Sequence, residues 1–313
     1  MLECEQQNQL RAETMSSGRV YTKADLTGIR PAHTAFVGLD SDGCVFPTME
    51  IKQKKCFHTL IVSQWHLEAV EKAVREAAEF INLYSKWRGT NRFAALVLNM
   101  ELLQDHPQVK AAGVKVPLLP SLKRFVESGQ PLGNPSLEAE VKRTGDPELA
   151  AVLQWSKDVN AMIERTVKNV APFRWVLESL KKIQANADAI CVSQTPTEAL
   201  VREWEEHGLT GYVLAIAGQE LGTKTEHIAM AASGRYAPDR ILMIGDAPGD
   251  LKAARGNQGL FCPITPDRED ACWERFFKEG LDRFLAGTFK GAYEAGLIRE
   301  FEACLPDTPP WKH

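Results

Sequence analysis

Five short apolar runs constrain the fold of this chain more than any other feature. The first ends just before Asp40, and together they cover residues 35–39, 189–192, 212–216, 241–244 and 259–261. Short apolar runs bounded by polar loops are typical of buried strands. Helical patterns lie between the later runs, at residues 197–207, 223–232 and 250–255. Strands that alternate with helices predict an α/β fold with a Rossmann-like parallel sheet, covered on both faces.

The pattern between the first and second runs is helical. Apolar residues recur every three or four positions from Leu60 to Trp87, which predicts one long amphipathic helix. Asp146 followed by Pro147 predicts the N-cap and first turn of another helix. We therefore expect residues 51–170 to form an all-helical cap domain, inserted into a core made of residues 1–50 and 171–313.

The segment after the last run is rich in aromatic residues. These are Trp273, Phe276, Phe277, Phe284, Phe289, Tyr293 and Phe301. We interpret the segment as two helices that fold back onto the core. So much apolar surface would also suit a contact between copies of the chain, so a homodimer is the competing interpretation.

Four polar clusters follow the apolar runs. They are Asp40-Ser41-Asp42-Gly43, Ser193-Gln194-Thr195, Lys224 at the start of a helix, and Gly245 to Asp250. In an open parallel sheet the carboxyl ends of the strands share one edge, where ligands bind. The fold would bring four carboxylates, a lysine and hydroxyl groups together there. Carboxylates this dense need a cation, and oxygen ligands suit Mg²⁺, which also bridges to phosphate.

This arrangement resembles the haloacid-dehalogenase-like superfamily, over about residues 34–50 and 173–263. Asp40, Asp42 and Gly43 match the family's D-x-D-G motif, and Ser193 matches its serine or threonine. Lys224 matches the family's lysine. Gly245, Asp246 and Asp250 match its G-D-x-x-x-D motif. The helical insertion resembles the family's cap. The resemblance implies a phosphatase that acts on a small organic phosphate monoester.

The resemblance also implies a role for each matched residue. Asp40 would attack phosphorus and become an aspartyl phosphate, while Asp42 would serve as the acid and base. Asp40, Asp246 and the backbone carbonyl of Asp42 would hold Mg²⁺. Asp250 would act on the metal through water or hold Lys224 in place.

The phosphoryl group would be bound by Lys224, Ser193 and donors beside it, including Gln194. Arg88 and Arg92 in the helical insertion are candidates for binding another part of the substrate. Helix capping is the favoured explanation of their position near the end of a predicted helix.

Two other functions stay open. A sugar phosphomutase would keep Asp42, but its entry motif usually has an acidic residue at the position of Pro47 and a histidine nearer than His58. A catalytically silent binding protein on the same fold is the second alternative. Phosphoryl migration would favour the first alternative, and binding without turnover would favour the second.

Charge and cysteine content narrow the partners and the compartment. The formal net charge is -4, and no apolar run reaches the length of a membrane span, so we expect neither nucleic acid nor a membrane as a partner. Seven cysteines form no C-x-x-C pair, and the first thirty residues do not resemble a secretory signal. A cytoplasmic protein without disulfides is expected.

Overall fold

The fold is described from a computed structural model, which defines residues 19–312. The chain separates into two compact units. The core unit comprises residues 19–48 and Asn169–Ala303, and the helical unit comprises Met49–Lys168 with residues 304–312. The prediction placed the last residues of the chain with the core, whereas residues 304–312 belong to the helical unit. Residues 1–18, the first part of the predicted N-terminal extension, lie outside the described residues.

The described residues of the core unit form a five-stranded parallel sheet. Its strands are β1 (Phe36–Leu39), β2 (Asp188–Val192), β3 (Ala215–Ala217), β4 (Ile241–Gly245) and β5 (Leu260–Pro263). The strand order is β3-β2-β1-β4-β5. Every strand residue is buried, as expected for a sheet covered on both faces. The predicted α/β fold is confirmed, although β3 begins at Ala215 because Thr210–Tyr212 forms a 3₁₀ turn.

Helices connect and cover these strands. The α-helices of the core unit are Lys23–Thr27, Val176–Gln184, Thr197–Glu206, Lys224–Ala232, Pro248–Gly256, Glu269–Arg275, Leu281–Leu285 and Ala292–Ala303. A π-helical turn, Phe276–Gly280, joins two of them, and short 3₁₀ turns occur at Gln219–Leu221 and Pro238–Arg240. The aromatic segment is thus helical, and Trp273, Phe284 and Phe289 are completely buried in the protomer.

The described residues of the helical unit contain no strand. The segment Thr48–Ile51 begins in the core unit and continues as a π-helical turn, Lys52–Phe57. The other helices are His58–Gln64, Glu71–Asn82, Arg92–Gln104, Pro107–Ala112, Pro120–Glu127, Asn134–Thr144 and Pro147–Thr166, with 3₁₀ turns at Glu68–Val70 and Pro310–Lys312. Most of their apolar faces meet in one core, which includes the fully buried Trp155, and a second, smaller cluster contains Phe80, Ile81 and Ala95.

The prediction of one long helix from Leu60 to Trp87 was wrong. It is broken at His66, whose φ of 54° is left-handed. The N–H of Leu67 then bonds the carbonyl of Val62 at 2.9 Å, which closes a Schellman cap, and Leu67 is buried. A left-handed cap residue is usually glycine, so histidine at this position gave no stop signal in the sequence. By contrast, Asp146 caps its helix as predicted, because Oδ1 accepts from the N–H groups of Glu148 and Leu149.

Two further expectations concern the cysteines and the absence of membrane-spanning segments. The six cysteines in the described part of the chain are free. No helix between residues 19 and 312 combines the length and hydropathy that a bilayer crossing requires.

Candidate active site

Asp40 lies at the centre of the sheet's carboxyl edge. It directly follows β1, which pairs with β2 on one side and β4 on the other. Leu39 is level with Cys191 of β2 and with Ile244 of β4, and the Asp40 N–H continues the ladder to the Ile244 carbonyl at 2.9 Å. Polar residues that follow β2 and β4 therefore flank Asp40, as the sequence predicted.

A tight loop fixes the backbone after Asp40. The Ser41 carbonyl accepts from the N–H groups of Val45 and Phe46 at 2.9 and 3.0 Å. Gly43 has a φ of 81°, a conformation that residues with a Cβ adopt at a cost. The indole of Trp273 donates to the Cys44 carbonyl at 2.8 Å. The aromatic C-terminal segment therefore supports the loop that carries the proposed nucleophile.

Lys224 joins two of the predicted carboxylates. Its Nζ lies 2.8 Å from Oδ2 of Asp40 and 2.6 Å from Oδ1 of Asp250. The lysine is the first residue of its helix, which a capping box between Thr223 and Glu226 begins. Burial disfavours the charged form of Lys224, but Asp250 and Asp40 together raise its pKa, which favours the protonated lysine at the site.

Asp250 is held from two sides. Lys224 binds Oδ1, and the Ala247 N–H donates to Oδ2 at 3.0 Å. Space for this carboxylate exists because residue 245 is glycine: a Cβ there would lie 2.3 Å from the Cγ of Asp250. Of the two roles that the resemblance left open for Asp250, the geometry fits the one that holds Lys224 in place.

Asp40, Asp246 and Asp250 form a buried carboxylate cluster. One oxygen from each lies within 4.8 Å of the other two. When all three are ionised, their negative charges face the single positive charge of Lys224. Burial, with repulsion from Asp246 and despite Lys224, raises the pKa of Asp40 to about 7. Burial likewise raises the pKa of Asp250 to about 6. An oxygen-only, electron-rich cluster of this kind fits a hard divalent cation such as Mg²⁺.

Asp42 has a different environment. Its Oδ1 accepts a short hydrogen bond from the hydroxyl of Thr48, and its Oδ2 accepts from the hydroxyl of Thr195 at 2.6 Å. The sequence placed Thr195 in a polar cluster without a role and did not single out Thr48. No local pattern links Thr195 to Asp42, because the two residues are 153 positions apart.

Ser193 follows β2 and is buried beside this edge. Its Oγ accepts from the Thr195 N–H at 3.2 Å, so the serine also shapes the turn. The side-chain amide of Gln194 donates to the carbonyls of Ser193 and Gly222 at 3.2 and 3.0 Å. Gln194 thus connects the loops that follow β2 and β3.

The two candidate arginines lie in the helical unit. Arg92 begins a helix, and its Nη1 donates to the Ser156 hydroxyl at 3.0 Å and to Asn160 Oδ1 at 2.7 Å. Burial lowers the pKa of Arg92 to about 10. Arg88 is buried and donates to the Leu83 carbonyl at 2.7 Å. Neither arginine is in the last turn of a helix, since the preceding helix ends at Asn82.

Comparison with known proteins gives matches among solved structures alone. No family model matches the chain, and neither does any curated protein. A haloacid dehalogenase-like hydrolase from Bacteroides fragilis is 13% identical with a TM-score of 0.46, covering 76% of this chain and 92% of its own. A predicted phosphoglycolate phosphatase from Haemophilus somnus is also 13% identical, with a TM-score of 0.45 and coverages of 73% and 84%.

A third structure, a haloacid dehalogenase-like family hydrolase from Xanthomonas campestris, is 11% identical with a TM-score of 0.44. The match covers 82% of this chain and 94% of that protein. The proteins to which this chain is similar in structure are thus named as haloacid dehalogenase-like hydrolases and phosphatases.

Proposed function

We propose that this chain is a magnesium-dependent phosphatase of the haloacid-dehalogenase-like superfamily, which hydrolyses a small organic phosphate monoester through a phospho-aspartate at Asp40. The observation that carries the proposal is the buried cluster in which Lys224 joins Asp40 and Asp250 beside Asp246. A structural salt bridge would not need three converging carboxylates at the carboxyl edge of a parallel sheet. A phosphoryl-transfer site does need them, together with a cation.

The chemistry has two steps. An Asp40 oxygen forms a bond to phosphorus while the ester P–O bond breaks, and Asp42 gives a proton to the departing alkoxide. Asp42 then takes a proton from a water whose oxygen attacks phosphorus. The acyl phosphate breaks, Asp40 is regenerated, and inorganic phosphate leaves.

The other residues of the cluster prepare this chemistry. Lys224 supports the ionised form of Asp40 and would neutralise a phosphoryl oxygen. Asp40, Asp246 and the Asp42 backbone carbonyl would hold Mg²⁺, which offsets repulsion between the nucleophile and the phosphate dianion. Asp250 keeps Lys224 in place, and Ser193 supplies a hydroxyl for the phosphoryl group.

We further propose that the helical unit acts as a cap that selects the substrate. Support comes from its connectivity, since it is inserted directly after the loop that carries Asp40 and Asp42. Arg88 remains a candidate for a substrate contact in this unit. The bonds of Arg92 to Ser156 and Asn160 favour a structural role for that residue.

The test is phosphate release from 4-nitrophenyl phosphate, with and without Mg²⁺, beside Asp40→Asn. The proposal expects turnover that needs Mg²⁺ and is abolished in the variant. Sugar and acid phosphates form a second panel, because a cap can reject aryl esters. No phosphate release on either panel, or turnover that persists in Asp40→Asn, would contradict the proposal. Phosphoryl migration between sugar hydroxyls would instead indicate a mutase.

A further inference from the structure

We propose that Thr195 and Thr48 are positioning residues that hold the Asp42 carboxylate in its working orientation. The inference deepens the proposed function and rests on it, since Asp42 is the acid and base of that reaction. Its basis is geometric: each carboxylate oxygen accepts one threonine hydroxyl, from Thr48 on Oδ1 and from Thr195 on Oδ2.

The hydroxyl of Thr195 is aimed by bonds on both sides of its backbone. Its N–H donates to Ser193 Oγ at 3.2 Å, and its carbonyl accepts from the Gln219 N–H at 3.1 Å. These bonds fix Thr195 within the loop that follows β2 and join it to the loop that follows β3. A side chain with few rotamers on so constrained a backbone can direct its hydroxyl with little loss of entropy.

Thr48 binds the other oxygen of the Asp42 carboxylate, Oδ1. It begins a helix six positions after Asp42 and is completely buried. The loop between them is itself closed by a bond from the Gly43 N–H to the Phe46 carbonyl at 2.7 Å. Two donors on different elements therefore restrain both the position and the plane of one carboxylate.

The chemical nature of these partners suits an acid/base residue. Asp40 and Asp250 are held by Lys224, which can only donate hydrogen bonds. A threonine hydroxyl can donate to a carboxylate and, after rotation, accept from a carboxylic acid. The two threonines can thus keep Asp42 in place both before and after it transfers a proton, which a lysine could not do.

The experiment compares threonine variants on two esters that differ in their need for an acid. Thr195→Val and Thr48→Val remove the hydroxyl at nearly constant shape, while Thr195→Ser and Thr48→Ser retain it. The matched control is Thr197→Val, because the Thr197 hydroxyl binds Glu220 at 2.8 Å instead. The substrates are phenyl phosphate, with a poor leaving group, and 4-nitrophenyl phosphate, with a good one.

The valine variants are expected to lose about tenfold in kcat/KM on phenyl phosphate and clearly less on 4-nitrophenyl phosphate, since general acid catalysis contributes factors of this order or more. The serine variants should recover most of the loss, and Thr197→Val should match the wild type on both esters. A purely structural role would lower both rates equally.

Three outcomes separate this inference from the proposed function. An active wild type whose valine variants match it, or lose equally on both esters, would overturn the inference alone. Serine variants as impaired as the valine variants would also overturn it. A wild type inert on every phosphate ester would overturn the proposed function and the inference together. If Thr48→Val does not fold, judged by its melting curve, the Thr195 pair decides the result.

Discussion

Asp40 and Asp42 are two positions apart, yet they have partners of opposite kinds. Asp40 is paired with a lysine and Asp42 with two hydroxyls. The sequence located both aspartates because residues after strands in a parallel sheet share an edge. It could not identify Thr195 as a partner of Asp42, because a side-chain bond between distant loops depends on tertiary packing that no local pattern records.

Gly245 allows a sharp test of the carboxylate cluster. Gly245→Ala places a Cβ 2.3 Å from the Cγ of Asp250, so Asp250 must move and its bond to Lys224 must weaken. We expect a loss of at least about 2 kcal/mol in unfolding free energy, since overpacking and a broken buried ion pair act together. Phosphatase activity should also fall.

The control for Gly245 lies four positions away in the same motif. A Cβ on Gly249 would meet no atom within 4 Å. Because glycine within a helix is less favourable than alanine, Gly249→Ala should keep or slightly raise the melting temperature. Equal melting temperatures for the two variants would contradict this account of Gly245.

At the scale of elements, the clearest difference from the sequence prediction is the break at His66. The amphipathic pattern was correctly identified as helical, but period alone does not show where a helix stops. The stop depends on a left-handed residue and on the burial of Leu67, and a histidine there resembles any other polar residue. The cap at Asp146 was predictable because its signal is local.

The C-terminal residues stabilise the helical unit through Trp311. Its ring lies 5.9 Å from that of Phe80 and 4.8 Å from that of His106, between centroids. Trp311→Ala should lower the unfolding free energy by roughly 1–3 kcal/mol through lost packing. Hydrogen exchange should increase in the helices around Phe80.

Lys312→Ala is the matched control for Trp311. Lys312 is exposed and its nearest acidic partner, Asp105, is 3.9 Å away. An exposed pair of this kind contributes little, so exchange and stability should stay unchanged. Identical behaviour of the two variants would show that residues 304–312 do not support the helical unit.

His58 should make the helical unit sensitive to acid. It is completely buried, and burial, with the nearby charges of Arg75 and Lys54, lowers its pKa to about 3. Because this pKa lies below the value of about 6.5 in the unfolded chain, the neutral ring favours folding above pH 6.5. That contribution is lost as the pH falls from 6.5 toward 3.

Chemical denaturation between pH 7 and pH 4 measures this effect. His58→Gln removes the titrating group and should flatten the fall in unfolding free energy toward acid, whatever its stability at pH 7. His33→Gln, at a half-buried position in the core unit, is the matched histidine control. A wild-type slope in His58→Gln would contradict the account.

At the scale of the whole molecule, pH and Mg²⁺ should act on stability together. The pKa values of Asp40 and Asp250 are raised to about 7 and about 6 by burial. Each raised pKa favours folding at pH values below about 4 and loses that contribution as the pH rises through 6 and 7. The raised pKa of Lys224 adds a contribution that is constant over this range.

The metal-free protein should therefore lose melting temperature between pH 5 and pH 8, in addition to the histidine effects. Mg²⁺ should raise the melting temperature more at pH 8 than at pH 5, because it competes with protons for the carboxylates. A ligand present at one hundred times its Kd adds about 2.7 kcal/mol to the free energy of unfolding. Melting curves in EDTA and in Mg²⁺ measure this, and equal shifts at both pH values would contradict a metal site at the cluster.

Much of the architecture was accessible from the sequence because each buried strand is short, apolar and followed by a polar cluster. The parallel sheet and the placement of Lys224 with Asp40 and Asp250 follow from that pattern. The assignment of residues 304–312 to the helical unit was not accessible, since the contact of Trp311 with Phe80 joins segments about 230 positions apart.

The central claim is that Asp40 becomes phosphorylated during turnover. The most direct measurement is a rapid acid quench of the enzyme with substrate and Mg²⁺, followed by peptide mapping by mass spectrometry. The account predicts phosphate on the peptide that contains Asp40, removable by hydroxylamine and absent in Asp40→Asn. Phosphate on a serine or histidine peptide, or turnover with no phosphorylated peptide at any quench time, would contradict it.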